Sequence, residues 1–442
     1  MELNQLKELI ASAGVVGAGG AGFPTAVKVA VGADSLVINA SECEPLLYTD
    51  YMLMQTHMQR ILDGAEAVMA AANIPNGYLG IKAHNVKRLG LADGQQMSAH
   101  VRVAQLPDAY PVGDEVILVY QVLHRVIKPG ALPLTVGALV MNAETLYNVD
   151  RALKDHTPVT EKWVTISGRV ANPVVTRVPI GMNVGELLKK MGVPVPADTV
   201  VLDGGPAMGA VIDPATAIIK KTTKGITLYP NDIPAVTGKF TDNHVVNIHA
   251  TSNCCQCTRC TDLCPRALLG YPLQPHKIVR TSLSVVAEMP QLFTEATACC
   301  GCGVCELVAC CQNISPRRVY AQVKAILAKN KLRYSGTAEP EVDPDREYRI
   351  VPSTRFQQLI GVLPLDKMPT LRDELQSTAS VTLPTRQHVG APATPCVRNG
   401  DTVHTGDVIA AANGAISANI HASIDGVVTA VSDSAITIAR AQ

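Results

Sequence analysis

The sequence predicts a multidomain α/β protein, and three features of the chain lead to this prediction. A glycine-rich loop at residues 17–22 precedes a short apolar segment, Leu36-Val37-Ile38-Asn39, and together they indicate a Rossmann-like α/β domain. Most of the cysteines lie between residues 254 and 311. Beyond residue 386, short apolar segments alternate with Gly-Asp turns, which indicates a separate module of short β-strands.

Changes in composition divide the 442 residues into five segments, in keeping with the usual ~100–200 residues per domain. Residues 336–350 are rich in glycine, proline and acidic side chains, as linkers often are. The predicted segments are a Rossmann-like domain (1–160), a β-grasp domain (161–235), a helical cysteine-rich domain (236–335), a linker (336–385) and a barrel-sandwich hybrid (386–442).

The composition excludes several classes of function. A formal net charge of +0 gives no strong attraction to nucleic acid or to an anionic membrane, and an aromatic content of 4% argues against a base-stacking surface. No apolar run approaches the length of a membrane span, and the first nine residues carry charges of both signs, unlike an export signal. We therefore expect a cytoplasmic protein with no nucleic-acid partner and no direct membrane insertion.

The glycine-rich loop at residues 17–22 predicts a phosphate-binding site. Glycines let backbone N–H groups approach an anion, and Pro24 suits the first turn of a helix whose N-terminus would favour phosphate. Lys28, about one turn further on, would add positive charge. Three of the glycines match G-x-G-x-x-G, but the clear strand follows the loop instead of preceding it, so the loop is not an ordinary Rossmann turn. A merely flexible loop is the alternative.

Polar side chains follow the predicted strand directly. Asn39, Glu42 and Glu44 lie at its carboxyl end, where open α/β sheets bind their ligands. The alternative is a solvated loop with two ordinary glutamates.

Residues 161–235 change to a pattern of strands. Residues 163–170 alternate apolar and polar side chains, residues 174–179 and 200–203 form two further strands, and Asn183-Val184-Gly185-Glu186 resembles a capping box that opens a short helix. This order of two strands, a helix and a strand predicts a β-grasp module. The turn at residues 204–209 is interpreted either as a functional loop or as a turn packed against the first domain.

The cysteine-rich segment matches the ligand spacing of [4Fe-4S] clusters. Its first block reads C-x2-C-x2-C-x3-C-P, and in proteins with two clusters the fourth cysteine binds the other cluster. The second block has three cysteines at the same spacing and ends in the doublet Cys310-Cys311, with no proline after it. We predict that cluster one is bound by Cys254, Cys257, Cys260 and either Cys310, which we prefer, or Cys311, and cluster two by Cys264, Cys299, Cys302 and Cys305.

Other interpretations of these cysteines fit less well. Zinc sites usually combine two C-x2-C pairs across a longer gap, and disulfide frameworks belong to small secreted domains. Cys255 and Cys300, the extra members of two doublets, are predicted not to be ligands.

The C-terminal segment resembles a lipoyl- or biotinyl-type barrel-sandwich hybrid. A carrier of that type needs a lysine on its hairpin, and no lysine follows Lys367, so we expect a structural or docking module. His388, His404 and His421 suggest metal ligation, but we interpret them as polar residues of turns and strands.

Several motifs carry a resemblance to known families. Residues 19–28 and 39–45, Gly113-Asp114-Glu115 and residues 142–146 resemble the FMN- and NADH-binding subunit of respiratory complex I. Most of the chain also resembles the RnfC component of Rnf electron-transport complexes, including residues 110–113, 129–142, 164–168 and 204–209 and both cysteine blocks.

The resemblance implies a Rossmann-like flavin domain, a ligand-binding (SLBB-like) β-grasp domain and a helical ferredoxin-like region with two [4Fe-4S] clusters. It also implies NADH as substrate. Nicotinamide contacts are implied for Phe23 and Glu44 as catalytic residues and for Glu115. FMN contacts are implied for Gly17, Gly19, Gly20, Lys28, Asn39, Glu42, Asp114 and Asn142.

The order of the modules narrows the resemblance. The barrel module stands at the N-terminus of RnfC proteins but at the C-terminus here, as in the cobalamin reductases of propanediol-utilisation microcompartments. That family implies reduction of cobalamin for a partner cobalamin adenosyltransferase, and a location within a bacterial microcompartment beside its shell proteins. The alternatives are an Rnf-type electron-transport component and a non-catalytic electron-relay scaffold.

Overall fold

The computed structural model describes residues 1–337 and 339–440. Within these ranges no helix combines the length and the apolar character that a membrane crossing requires.

The first domain is built on a four-stranded sheet in which every pairing is parallel. The strands lie in the order Val101–Leu106, Asn76–Lys82, Ser35–Asn39, Ala138–Asn142, so the chain order reverses between the last two. This is the Rossmann-like arrangement that the sequence predicts, and it places a ligand crevice beside Asn39 and Asn142. The helices are Leu3–Ser12, Thr25–Lys28, Thr49–Ala72, Ala83–Arg88, Glu115–Leu123 and Ala143–Lys154, with a 3-10 turn at Pro133–Val136 and a short strand at Ala109–Tyr110.

The long helix Thr49–Ala72 packs closely on the helix Ala143–Lys154. At their crossing, a Cβ on Gly64 would lie 2.1 Å from the carbonyl oxygen of Leu146, so only glycine permits this approach. The apolar side chains of both helices join a core with those of the sheet. This packing holds the carboxyl end of the strand Ala138–Asn142, where the second helix begins, in a fixed position.

The second domain is a six-stranded mixed sheet around a short helix, Val184–Lys190. The central pair, Glu161–Gly168 and Gly225–Pro230, is parallel, while the neighbouring pairs inside the module are antiparallel. The strands lie in the order Thr370–Leu375, Val174–Pro179, Glu161–Gly168, Gly225–Pro230, Thr199–Asp203 and Ala210–Ile212.

The linker predicted at residues 336–385 is wrong for most of that segment. Thr370–Leu375 adds a parallel strand to the edge of the second domain, and Ser380–Pro384 pairs with Ala435–Ala439 in the last domain. Between them, the helix Ser353–Leu359 buries Phe356, whose ring stacks on Tyr110 at 4.0 Å. The apolar residues around this helix therefore pack in one core with residues of the first, β-grasp and cysteine-rich domains. The composition of residues 336–350 did not indicate these contacts.

The cysteine-rich domain consists of short helices joined by loops that carry the cysteines. The helix Pro316–Lys329 closes it with a buried apolar face, as its periodicity predicts. The other helical elements are Pro234–Thr237, Asn243–Ser252, Arg259–Asp262, Ala267–Leu269, Pro275–Ile278, Leu283–Glu288, Pro290–Ala298 and Cys305–Ala309, and the helix Arg346–Arg349 and strand Val351–Pro352 follow.

The last domain is an all-β barrel sandwich of two small antiparallel sheets. Its first strand begins at Ser380, six residues before the predicted start of the module at 386. One sheet contains Ser380–Pro384, Ala435–Ala439, Gly426–Val431 and Thr402–Val403, and the other contains Thr394–Pro395, Val408–Ala411 and Ile420–His421.

The barrel packs against the first domain at a buried lysine that belongs to the β-grasp domain. Lys221 donates hydrogen bonds to the carbonyl oxygens of Gly14 (2.7 Å) and Asn419 (2.8 Å), and His421 contacts the Ser12 carbonyl oxygen at 2.8 Å. Burial lowers the pKa of Lys221 to about 7. His421 is buried in this contact, His388 is buried within the barrel, where its ring accepts a hydrogen bond from the N–H of Ala418, and His404 is exposed.

Candidate redox site

The crevice at the carboxyl end of the first sheet brings several predicted residues together. Asn39 and Asn142 are direct partners in the two strands between which the chain order reverses. The glycine loop lies over this point, because a Cβ on Gly19 would stand 3.1 Å from the side-chain nitrogen of Asn142. A backbone free of side chains thus faces the Asn142 amide at the carboxyl end of the sheet, where open α/β sheets bind their ligands.

The glycine loop is held from both ends. The N–H of Gly17 donates to the Phe23 carbonyl oxygen (2.9 Å), and the N–H of Ala18 donates to the Thr145 hydroxyl (3.0 Å). At Gly20 the backbone has φ +68°, and a Cβ there would meet no atom within 4 Å. The loop is therefore fixed in shape and open on one side, as a cradle for an anion must be.

Lys28 and Glu115 form a half-exposed ion pair beside this loop, with 2.7 Å between the lysine nitrogen and a carboxylate oxygen. Glu115 is the first residue of the helix Glu115–Leu123. Gly113 lies two residues before Glu115, and its carbonyl oxygen accepts a hydrogen bond from the side-chain amide of Asn39 (3.0 Å). These contacts join the residues predicted around one ligand, while the Phe23 side chain is 36% exposed at the mouth of the loop.

Asp114, for which the resemblance implies an FMN contact, lies at the boundary between the first domain and the cysteine-rich domain. Its carboxylate accepts hydrogen bonds from the N–H groups of Val116 and Ile117 and pairs with Arg266 at 2.8 Å, with both side chains largely buried. Arg266 also donates to the Ala298 carbonyl oxygen (2.6 Å). Asp114 therefore connects the first domain to the cysteine-rich domain through its hydrogen bonds to these partners.

Glu42 accepts hydrogen bonds at the start of the long helix Thr49–Ala72. Its carboxylate accepts hydrogen bonds from the N–H groups of Asp50 (2.9 Å) and Tyr51 (3.1 Å). Burial, with the neighbouring Asp50, raises the pKa of Glu42 to about 7. Asp50 in turn pairs with the buried Lys224 of the β-grasp domain.

Glu44 lies against the turn at residues 204–209 of the β-grasp domain. Its carboxylate accepts hydrogen bonds from the N–H groups of Ala207 (3.0 Å) and Met208 (3.1 Å), and burial raises its pKa. The Tyr110 hydroxyl lies 3.2 Å from Glu44 and donates to the carbonyl oxygen of Cys302 at 2.7 Å. The strand-end segment thus reaches both the turn and the second cysteine block.

One buried charge near the loop was missed at the level of sequence. Lys162 and Glu144 form an ion pair in which each side chain is 1% exposed, and the lysine nitrogen lies 3.3 Å from the Ala18 carbonyl oxygen. Burial lowers the pKa of Lys162, while Glu144 opposes this change. A charged residue at the second position of the strand Glu161–Gly168 was the available signal.

The two predicted cysteine sets line two separate cavities. The cluster-two set, Cys264, Cys299, Cys302 and Cys305, surrounds one cavity, and the cluster-one set, Cys254, Cys257, Cys260 and Cys310, surrounds the other. Burial raises the pKa of the Cys264 thiol to about 12, so a bound metal would be needed to hold it as thiolate. The four predicted ligands at each cavity suit the donor set of a [4Fe-4S] cluster, and Cys255 and Cys311 also line the cluster-one cavity.

The doublet Cys310-Cys311 is divided between two environments. Cys310 is half-buried, and its sulfur accepts a hydrogen bond from the N–H of Ile314 at 3.3 Å. Cys311 is exposed, with its sulfur 3.9 Å from that of Cys255. Cys255, Cys257 and Cys311 form an exposed group in which all three sulfurs lie within 4.8 Å of one another. Cys300 lines the cluster-two cavity beside the four predicted ligands.

A glycine loop over the switch point of a parallel sheet, followed by two cysteine-lined cavities, defines an iron–sulfur flavoprotein of the oxidoreductase class. Residues 10–151 match the model of the Nuo51 FMN-binding domain, and residues 253–315 match that of a 4Fe-4S dicluster domain. Residues 369–441 match the RnfC barrel-sandwich hybrid domain. The predicted FMN domain and dicluster domain are thereby confirmed.

Relatives specify the family. The chain is 39% identical to cobalamin reductase PduS of Salmonella typhimurium, over 100% of this chain and 97% of that protein. It is 38% identical to cobalamin reductase PduS of Citrobacter freundii, over 98% and 96%. The chain belongs to the cobalamin reductase PduS family, as its order of modules predicts.

More distant similarities cover less of the chain. The C component of the ion-translocating oxidoreductase complex of Erwinia tasmaniensis is 32% identical over 62% of this chain and 33% of that protein. A crystal structure of an NAD+-reducing [NiFe]-hydrogenase in the H2-reduced state matches with a TM-score of 0.47 at 18% identity, over 74% of this chain and 63% of the other.

Proposed function

We propose that this protein is an NADH-dependent cobalamin reductase, in which electrons pass from NADH through FMN and two [4Fe-4S] clusters to cobalamin. The reaction balances when one NADH reduces two cob(II)alamin to two cob(I)alamin, with release of NAD+ and one proton. The full-length similarity to cobalamin reductases PduS supports the choice of acceptor. The single structural observation that carries the proposal is the Asp114–Arg266 pair, which joins the flavin crevice to the cluster-two set.

The residues of the crevice fit FMN. We assign the phosphate to the backbone N–H groups of Gly19 and Gly20 with Lys28 nearby, while Gly17 shapes the loop through its hydrogen bond to the Phe23 carbonyl oxygen. The ring system is assigned to the side of Asn39 and Asn142. This assignment is supported by the open cradle at Gly20 and the contact of Gly19 with Asn142. When bound, FMN supplies the conversion between the two-electron chemistry of nicotinamide and one-electron transfer.

For nicotinamide we assign Phe23 and Glu115, which lie on the exposed side of the loop. Glu44 remains the second catalytic candidate, and its hydrogen bonds to the turn at residues 204–209 suggest that it fixes the β-grasp domain at the edge of the site. We propose that Glu42 and Asp114 support the FMN site indirectly, because their carboxylates bind the N–H of Asp50 and the guanidinium of Arg266.

For the clusters we assign the cluster-one set with Cys310 as its fourth ligand, and the cluster-two set with Cys264. Backbone N–H groups donate to the sulfurs of Cys310 and Cys299, each at 3.3 Å, and such bonds stabilise ligating thiolates.

Partners and location follow the family resemblance. We propose that the cob(I)alamin passes to a cobalamin adenosyltransferase for adenosylcobalamin regeneration in 1,2-propanediol degradation. We further propose that this occurs inside a bacterial microcompartment, in the presence of its shell proteins.

The test is an anaerobic titration of the FMN- and cluster-loaded chain with NADH, first alone and then with cob(II)alamin. We expect bleaching of the flavin absorbance by NADH and then the appearance of cob(I)alamin. The double variant Cys257→Ser/Cys305→Ser, loaded with FMN, should still bleach but form no cob(I)alamin. Failure of NADH to bleach the wild-type flavin contradicts the proposal.

A further inference from the structure

A basic groove lies on the solvent side of the cluster-two cavity. It is a cavity of about 300 Å³ whose walls include Lys239, Arg317, Arg318 and Lys324. Cys299, a predicted ligand of cluster two, contributes to the walls of both the groove and the cluster cavity. The groove is therefore separated from the cluster site by one layer of residues.

The positive charge in this groove is only partly balanced by carboxylates, since Glu306 and Glu44 act on its cations. Arg317 pairs with Glu306 at 3.1 Å. Across residues 1–337 and 339–440, no carboxylate oxygen lies within 4 Å of the side-chain nitrogens of Lys239, Arg318 or Lys324. Lys239 instead donates to the Gly209 carbonyl oxygen (2.8 Å), and Arg318 to that of Gly238 (3.0 Å).

The helix Pro316–Lys329 adds to this potential. Its first turn contains no acidic residue but does contain Arg317 and Arg318, and both line the groove. Acidic side chains are the groups that a helix N-terminus favours, so two cations there raise the local electrostatic cost. An anion that occupies the groove would relieve it.

Charge compensation of cluster two accounts for only part of these cations. Arg317 lines the cluster cavity as well as the groove, and Lys324 donates a hydrogen bond to the Cys299 carbonyl oxygen. Lys239 and Arg318 line the groove alone. The groove thus has more positive charge than the cluster wall itself contacts.

We infer that the basic groove binds the phosphodiester of a corrinoid acceptor, with the corrin ring at the open side of the groove next to cluster two. This inference rests on the proposed function. Cobalamin has one fixed anionic group, the phosphodiester of its nucleotide loop, and guanidinium and ammonium groups are the usual partners of phosphate. Met208, 55% exposed at the rim, offers an apolar contact to the ring.

The groove is large enough for only part of a cobalamin molecule. A cavity of about 300 Å³ stands at the lower end of the range of small-molecule sites, which is roughly 300–1,000 Å³. The nucleotide-loop phosphate would enter, and the larger ring would stay outside. Each electron that leaves cluster two would then reduce one cob(II)alamin to cob(I)alamin.

The test is equilibrium binding of cobalamin and of cobinamide, a corrinoid without the nucleotide loop, to the oxidised holoenzyme. We expect wild-type protein to bind cobalamin at least about tenfold more tightly than cobinamide. The double variant Arg318→Gln/Lys324→Gln should lose about tenfold in cobalamin affinity and leave the weak cobinamide binding unchanged. Lys329→Gln, on the same helix but outside the groove, is the matched control and should behave as wild type.

Two readouts separate the outcomes. The spectrum of the reduced clusters shows whether the double variant keeps cluster two, and bleaching of the flavin by NADH shows whether the upstream steps are intact. The inference is overturned if the double variant binds cobalamin as tightly as the wild type does. It is also overturned if the wild type binds cobalamin and cobinamide with equal affinity. Either result would assign the groove to another anion, such as an acidic protein surface. Phosphodiester-dependent binding without cob(I)alamin formation would uphold the groove and contradict the proposed function.

Discussion

Three ligands of each cysteine set share the spacing C-x2-C-x2-C, but the two sets differ in their surroundings. The cluster-two set includes the buried Cys302 and Cys305, and it is attached to the flavin-like domain through Asp114–Arg266. It is attached to the β-grasp turn as well, where Arg317 donates to the Ala207 carbonyl oxygen at 2.7 Å. The cluster-one set includes the exposed Cys257 and lies beside two more exposed thiols, Cys255 and Cys311.

This difference teaches that spacing specifies a cluster but not its role in the fold. The loop of cluster two is a junction of three domains, so its metal site should be coupled to the stability of the whole chain. The loop of cluster one opens to solvent, and the loss of its metal should remain local. Metal-binding free energy contributes to folding only where the ligands are part of a packed core.

The largest expected effect is from Cys305→Ser, compared with Cys257→Ser. Each variant should lose about half of the iron, because each removes one ligand of one cluster. Only Cys305→Ser should also lower the thermal unfolding midpoint of the chain, by roughly 5 °C or more relative to Cys257→Ser, because it disrupts the junction. Iron analysis and differential scanning calorimetry of the two anaerobic proteins measure this difference. Equal midpoints would break the comparison between the two loops.

The next effect distinguishes the two members of the doublet within cluster one. Both members line the cluster-one cavity, but Cys310 is half-buried and its sulfur accepts a backbone hydrogen bond, whereas Cys311 is exposed. We therefore expect Cys310→Ser to lose about half of the iron and Cys311→Ser to keep all of it. Iron content and the electron paramagnetic resonance of the reduced protein provide the measurement. Loss of iron from Cys311→Ser alone would show that the exposed thiol is the ligand.

Several parts of this structure could be predicted from local sequence. The cysteine spacing, the glycine loop and the periodicity of residues 316–331 each reflect a constraint that acts within a few residues. The ligand crevice at the end of the strand Ser35–Asn39 also followed from the polar residues placed there. These elements are dictated by short-range chemistry, and the sequence contains all of it.

Contacts between domains could not be predicted in this way. The strand Thr370–Leu375 completes the edge of a sheet whose next strand is Val174–Pro179, almost two hundred residues earlier. It lies in the segment 336–385, which was predicted as a linker from the composition of residues 336–350. Asp114 was assigned to FMN because its motif resembles a flavin site, yet its partner Arg266 is 152 positions away. Lys162 was missed for the same reason, since a lysine within a strand reveals its buried partner only in the folded chain.

The smallest of the three effects tests the junction itself through Asp114→Asn. Asparagine still caps the helix Glu115–Leu123, so the change removes the charge that Arg266 pairs with and leaves the cap in place. A largely buried guanidinium without its carboxylate should cost about 2 kcal/mol, less than the ~3–5 kcal/mol of fully buried pairs because both side chains keep slight exposure. The matched control is Asp34→Asn, which breaks an exposed pair with Arg125 in the same domain and should cost under ~1 kcal/mol.

Urea unfolding followed by flavin release and by cluster absorbance measures both variants. In Asp114→Asn the flavin and cluster-two signals should be lost at a lower urea concentration, while cluster one should be lost at the wild-type concentration. If both clusters shift together, or if Asp34→Asn shifts them equally, the junction is not specific to cluster two.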